Sequence, residues 1–279
     1  MYSVLIVDDE PLSREVAMRR LEREGYHVTV AENGLRACEL MEVELFDLIL
    51  LDLNMPRMSG YEVLEWVQQR QARIDSKIIV LTAARDRDSV TRSLHGGASD
   101  YLVKSAGTPE LLNRVRRLCT LRALENSAAG AIPARRLREA RILVVEDQLT
   151  TVELLLARLK NADFTALSVT DGAAALAALA ERPCDLLLLD YHLPDMSGLA
   201  IIEEVRRQHA PEEVAIVLVT GEEDRERIEA CYAAGADDYV SKPFHAADLL
   251  NRVENALNLK FLRQRARAAG EDPATLALP

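Results

Sequence analysis

The amino-acid sequence predicts an α/β protein made of two tandem doubly wound domains, each a five-stranded parallel sheet with helices on both faces. Three observations predict it. The chain has 279 residues, a length that suits about two domains. Residue types recur 138 positions apart: Asp9 and Asp147, Gly34 and Gly172, Asp52 and Asp190, Pro56 and Pro194, Gly60 and Gly198, Thr82 and Thr220, Tyr101 and Tyr239, Lys104 and Lys242. No insertion breaks this register, and so long a period marks a duplicated domain. Within each copy, short β-rich apolar runs alternate with helical stretches, the pattern of strands joined by crossover helices.

The elements follow in order. "SVLIVDD" and "RILVVED" read as first strands buried on both faces. In the second copy, Val152, Leu155, Leu156 and Leu159 then line one face of a helix. In the first copy, Pro11 suits a first helical turn, where its missing N–H costs nothing. "HVTVAENG" and "ALSVTDG" are second strands closed by Asn-Gly and Asp-Gly turns. Third strands are "DLILLD" and "DLLLLD", fourth strands "KIIVLTA" and "AIVLVTG", and fifth strands "DYLVK" and "DYVSK". The expected organisation is a first domain over 1–124, a linker over 125–139 and a second domain over 140–260. A helical extension ending in a disordered tail is expected over 261–279.

Composition excludes several classes. With 34 basic against 45 acidic residues the formal net charge is -11, which disfavours a broad nucleic-acid or membrane-binding surface. No apolar run reaches membrane-span length, and "MYSVLIV" lacks the features of a secretion signal. Cys38, Cys119, Cys184 and Cys231 are scattered without a CxxC pair and read as reduced thiols. A cytoplasmic location, with no direct nucleic-acid or membrane partner, is expected.

In a doubly wound sheet, ligands bind at the carboxyl ends of the strands, where strand order reverses. Asp8 and Asp9 end the first strand, Asp52 the third, Thr82 the fourth and Lys104 the fifth. The second copy offers Glu146, Asp147, Asp190, Thr220 and Lys242. One acid at a strand end is ordinarily a solvated loop residue. Five corresponding residues at four strand ends, twice in one register, are specific. Three clustered carboxylates repel unless a proton or a cation compensates. Oxygen ligands suit Mg²⁺, and a lysine with a hydroxyl can hold phosphoryl oxygens. The set reads as a site that places a phosphoryl group on an aspartate.

The motifs "VDDE", "DLNMPRMSG", "LTA" and "DYLVK", with "VEDQ", "DYHLPDMSG", "VTG" and "ADDYVSKP", resemble those of bacterial response regulator receiver domains. The likeness covers about residues 2–122 and 140–258. It implies two flavodoxin-like domains with strand order 2-1-3-4-5. It also implies that Asp52 and Asp190 accept phosphoryl groups from a phosphohistidine. One Mg²⁺ per domain would be held by Asp9 and Asp147, assisted by Asp8 and Glu146. The acceptors themselves and the backbone carbonyls of Asn54 and His192 would complete its protein ligands. Thr82, Thr220, Lys104 and Lys242 would stabilise the phosphoryl group. Ala83 and Gly221 would leave the threonines room to move. Tyr101 and Tyr239 would be switch aromatics that pass from exposed to buried, although plain packing at a strand edge also accounts for a tyrosine there. The implied partners are a sensor histidine kinase or histidine phosphotransfer protein and a downstream effector, with homodimer formation as another contact.

Two departures carry expectations. Lys242 is followed by Pro243 but Lys104 by Ser105, so the last loop of the first copy is expected to take its own path. Asn54 and His192, with Ala84 and Glu222, differ between the copies near the acceptors, so the two phosphoryl lifetimes should differ. Only 37 residues follow Lys242, so the expected output is protein contact rather than catalysis by a further domain. Rival readings are the regulatory part of a larger protein such as a diguanylate cyclase, and a tandem in which one copy is an unphosphorylated scaffold. An aspartyl phosphatase would want Asp where Asn54 and His192 stand.

Overall fold

The computed structural model describes residues 1–70, 74–83, 87–127, 130–221 and 225–273. Its contacts divide the described chain into an N-terminal unit, Met1–Ala123, and a C-terminal unit, Leu124–Pro273.

The N-terminal unit runs β1 (Ser3–Val7), α1 (Pro11–Arg23), β2 (His27–Ala31), α2 (Gly34–Val43), β3 (Leu48–Asp52), α3 (Gly60–Gln68), β4 (Lys77–Thr82), α4 (Arg87–His95), β5 (Asp100–Val103) and α5 (Thr108–Glu125). Its sheet has the order β2-β1-β3-β4-β5, all parallel. The C-terminal unit opens on the short α6 (Ala134–Arg138) and repeats the series. It continues with β6 (Arg141–Val145), α7 (Leu149–Asn161), β7 (Thr165–Val169), α8 (Gly172–Glu181), β8 (Leu186–Leu189), α9 (Gly198–Gln208), β9 (Ala215–Thr220), α10 (Arg225–Ala233), β10 (Asp238–Ser241) and α11 (Ala246–Ala268). The order is β7-β6-β8-β9-β10, again all parallel. Each unit is therefore a flavodoxin-like doubly wound domain.

Aliphatic residues make the central strands strands. β3 and β8 are buried along their whole length, and each buried leucine contributes about 1.5–3 kcal/mol of transfer free energy. The sheet of the N-terminal unit packs Leu5, Ile49, Leu51 and Val80 against α2 and α3. In the C-terminal unit, Leu143, Leu187, Leu189 and Ile216 lie against α8 and α9. On the other face, Val144, Leu188 and Val217 meet Leu155, Leu249 and Val253.

Glycine is required where α3 and α9 begin. A Cβ on Gly60 would stand 2.3 Å from the Asp52 carbonyl oxygen, and one on Gly198 would stand 2.9 Å from that of Asp190. The helix can thus start directly beneath the end of the central strand. The segment expected as a linker holds α6, whose Leu137 is buried in the C-terminal core. Arg138 pairs with Glu254 at 2.7 Å and stacks over Phe164. The expected disordered tail falls in part on residues 274–279, which lie outside the described residues.

Candidate functional site

Strand order places the ends of β1, β3, β4 and β5 side by side, so the residues that terminate them meet on one rim. Asp8 follows β1 and is buried; Asp52 ends β3 and is buried. Asp9 is exposed beside them. One carboxylate oxygen from each of Asp8, Asp9 and Asp52 lies within 4.8 Å of the others, and the same holds for Glu146, Asp147 and Asp190. Three hard oxygen donors at this spacing fit a small divalent cation such as Mg²⁺.

Lysine closes each cluster. Lys104 Nζ donates to Asp52 Oδ2 at 2.7 Å and to Asp8 Oδ2 at 3.0 Å. Lys242 Nζ donates to Asp190 Oδ2 at 2.7 Å and to Glu146 Oε2 at 2.6 Å. Burial alone would lower both lysines; hydrogen bonds to the two carboxylates outweigh it and raise both above the ordinary value. Glu146 is raised because burial penalises its charge, with Asp190 adding to the shift and Lys242 opposing it.

The two lysines occupy the same position although their following peptide bonds differ. Lys242–Pro243 is cis, whereas Lys104 is followed by Ser105. Their placement is set earlier in the chain. Lys104 N donates to Thr82 O at 2.7 Å and Lys242 N to Thr220 O at 2.8 Å, so β-sheet register fixes each lysine before its loop begins. The missing proline therefore does not displace Lys104.

Of the remaining expected residues, the threonines and the residues after Asp52 and Asp190 lie on the same rim, whereas Tyr101 and Tyr239 sit inside β5 and β10, paired with Val80 and Leu218. Thr82 and Thr220 end β4 and β9 and are buried. Ala83 and Gly221 beside them are exposed. Asn54 N donates to Asp52 Oδ1 at 3.2 Å, and His192 N to Asp190 Oδ1 at 3.3 Å. Both tyrosines stand buried, Tyr101 at 7% exposure and Tyr239 at 5%, with Tyr239 edge-on to Tyr232. Ala84 and Glu222 lie outside the described residues.

Sequence reasoning missed three supports. Ser13 Oγ donates to Asp8 Oδ2 at 2.8 Å and Arg14 Nη1 to Asp8 O at 2.6 Å. Their counterparts are Thr151 and Val152; Val152 has no side-chain donor, and Glu146 is held by the Gln148 amide and Lys242. Buried ion networks tie the last strand to the last helix. Asp100 accepts from Arg114 at 3.1 Å and Arg117 at 2.6 Å. Asp238 takes Arg252 at 3.4 Å, which also reaches Asp248 at 3.1 Å. Arg122 pairs with Asp47, and Lys260 with Asp185, at the opposite end of each sheet. The same 138-residue spacing relates Asp100 to Asp238, Arg114 to Arg252 and Asp47 to Asp185. That spacing was the signal that could have found them.

The model of the response regulator receiver domain matches residues 4–116 and 142–254. The response regulator PleD of Caulobacter vibrioides is 26% identical over 270 residues, covering 92% of this chain and 59% of PleD. The response regulator MprA of Mycobacterium ulcerans is 40% identical over 46% of this chain and 54% of MprA. The chain thus spans little more than half the length of either relative. The crystal structure of response regulator protein TrrA from Thermotoga maritima, in complex with Mg(2+)-BeF, is 39% identical, covering 42% of this chain and 99% of that one, with a TM-score of 0.39. Among the described residues, no helix is long and apolar enough to cross a membrane.

Proposed function

This chain belongs to the response regulator receiver domain family and carries the domain twice; from that membership we propose that Asp52 and Asp190 each accept a phosphoryl group from a phosphohistidine in a Mg²⁺-dependent reaction. The observation that carries the reading is the lysine bridging the acceptor and a second acid at 2.6–3.0 Å in both units. A carboxylate oxygen attacks phosphorus in line with the donor's P–N bond. The P–O bond forms as the P–N bond breaks, and the imidazole leaves with the electron pair. Lys104 or Lys242 exchanges a carboxylate oxygen for a phosphoryl oxygen, holding negative charge where it develops. Thr82 and Thr220 close on the phosphoryl group from the neighbouring strand end.

One Mg²⁺ per domain fits the acidic clusters. Asp9 and Asp147 would hold it most directly, assisted by Asp8 and Glu146, with the acceptors and the carbonyls of Asn54 and His192 completing the set. When bound, the ion neutralises charge on the phosphoryl oxygens. Tyr101 and Tyr239 act as the switch, a packing element biased by one new charged group. The partners are a sensor histidine kinase or histidine phosphotransfer protein and a downstream effector, with a homodimer as a further contact, and the setting is the cytoplasm. The chain acts as a regulator rather than an enzyme.

The test is intact-mass measurement after incubation with acetyl phosphate and Mg²⁺. Two phosphoryl additions support both acceptors. One addition assigns the other copy a scaffold role, and none overturns the reading. A second reading, that this stretch regulates a further output domain such as a diguanylate cyclase, draws on the 59% share of PleD that it spans. Sequencing the reading frame beyond Pro279 tests it.

A further inference from the structure

The loop after each acceptor follows a different course in the two units, although both loops have the same length. Its tip is Arg57 in one and Asp195 in the other. Asp195 Oδ1 accepts from Gly172 N at 2.9 Å, and its Oδ2 accepts from Ala173 N at 2.8 Å. Asp171 Oδ1 takes the next amide, Ala174 N, at 2.8 Å. Three consecutive amides that α8 cannot satisfy internally are thus held by two carboxylates, with the helix dipole favouring both charges. These backbone hydrogen bonds hold Asp195 below the ordinary carboxylate value.

The base of the same loop is closed by an antiparallel bridge between His192 and Ser197. The loop is therefore fixed at tip and base, and His192 lies between Asp195 and the acceptor Asp190. In the N-terminal unit Arg57 stands in the left-handed region, at φ 69°, and Met58 N turns back to Pro56 O at 2.9 Å. A cation at that place is the wrong sign for a helix N-terminus.

We infer that Asp195 is a positioning residue for the second acceptor site: by fastening loop 191–197 to the N-terminus of α8 it fixes the His192 carbonyl where Mg²⁺ would be held. The inference rests on the reading of Asp190 as a phosphoacceptor. It assigns the C-terminal unit a metal site whose loop is set before the ion arrives, by a contact that Arg57 cannot make in the N-terminal unit.

The test is a Mg²⁺ titration of the full chain followed through backbone amide shifts of residues 190–197, with residues 52–59 as the internal reference. Asp195→Ala should weaken Mg²⁺ binding at the second site about tenfold, the usual effect of losing a group that orients a metal ligand. The first site should titrate as before. Asp195→Asn keeps one acceptor oxygen and should restore part of the affinity, which a general loss of stability would not do. If the alanine chain does not fold, the asparagine chain decides, since unchanged affinity there overturns the inference. Unchanged affinity in Asp195→Ala, with Asp190 still phosphorylated by acetyl phosphate, overturns the inference and leaves the acceptor reading standing. A parent chain in which Asp190 takes neither Mg²⁺ nor a phosphoryl group overturns both.

Discussion

The two acceptor loops have equal length and nearly the same motif, and both cap the helix that follows, yet the second is also tied back to the helix before it, α8. In the N-terminal unit the loop is secured forward. Ser59 caps α3, and Glu62 reaches back to Ser59 N at 2.8 Å, completing a capping box. In the C-terminal unit Ser197 still caps α9 through Ala200 N. Ala200 has no carboxylate to reach back, and Asp195 ties the loop to α8 as well. The support of the first acid differs as well, because Ser13 and Arg14 hold Asp8 while Glu146 has the longer arm. The two copies thus keep the rim acids and the bridging lysine in one arrangement while their supports diverge. The proposed phosphoryl transfer needs the former in one geometry, and several contacts can supply the latter.

The sharpest way to break this comparison is to remove one acceptor at a time. Asp52→Ala should abolish one phosphoryl addition in the mass spectrum and Asp190→Ala the other. Each remaining site should then show its own dephosphorylation rate, and equal lifetimes would remove the functional difference between the copies.

Next in size are the lysines. Lys104→Ala and Lys242→Ala should each slow phosphorylation of their own acceptor by roughly 100-fold, as expected when one preorganised donor is lost. Rates from acetyl phosphate, read site by site, check it. A slow first site in the unaltered chain would show that matching 2.7 Å contacts do not suffice for matching reactivity.

The buried ion networks give the third contrast. Asp100→Ala leaves both Arg114 and Arg117 without their shared carboxylate, which should cost about 3–5 kcal/mol. Asp238→Ala should cost less, because the position matching Arg117 is Asn255, whereas Arg114 and Arg252 each keep a second acid, Glu110 and Asp248. Denaturant melts of the two variants compare them.

The smallest effect concerns thiols. Burial pushes Cys38, Cys184 and Cys231 up to about 11. The thiolate is the reactive form, so alkylation should be slow at neutral pH and quicken as pH rises toward that value. Cys184 is only half-buried and should be modified first, which peptide mapping would show. Early labelling of Cys38 would contradict the burial assigned to the N-terminal unit.

Much of the site was legible in the sequence because it sits at strand ends. A run such as "DLILLD" declares both the strand and the acid that terminates it, and the β-sheet then brings those ends together. The lysines show how far this goes. The loop after Lys104 does take its own turn, with Ala106 N returning to Val103 O, but strand register had already placed the side chain. The contacts of Asp195, Ser13 and Arg14 were not legible. Each joins elements through the direction of a single side chain, and periodicity carries no information about direction.

The sequence by itself determined the duplication, the α/β class and the identity of the rim acids, because hydrophobic pattern and a constant spacing are one-dimensional properties. Only the tertiary structure decided which helices hold each acceptor loop, and which buried arginine neutralises Asp100 and Asp238. Those outcomes depend on distances between groups far apart in the chain. Corresponding positions meet different partners once side-chain charge and backbone turn both differ, as they do at Arg57 and Asp195.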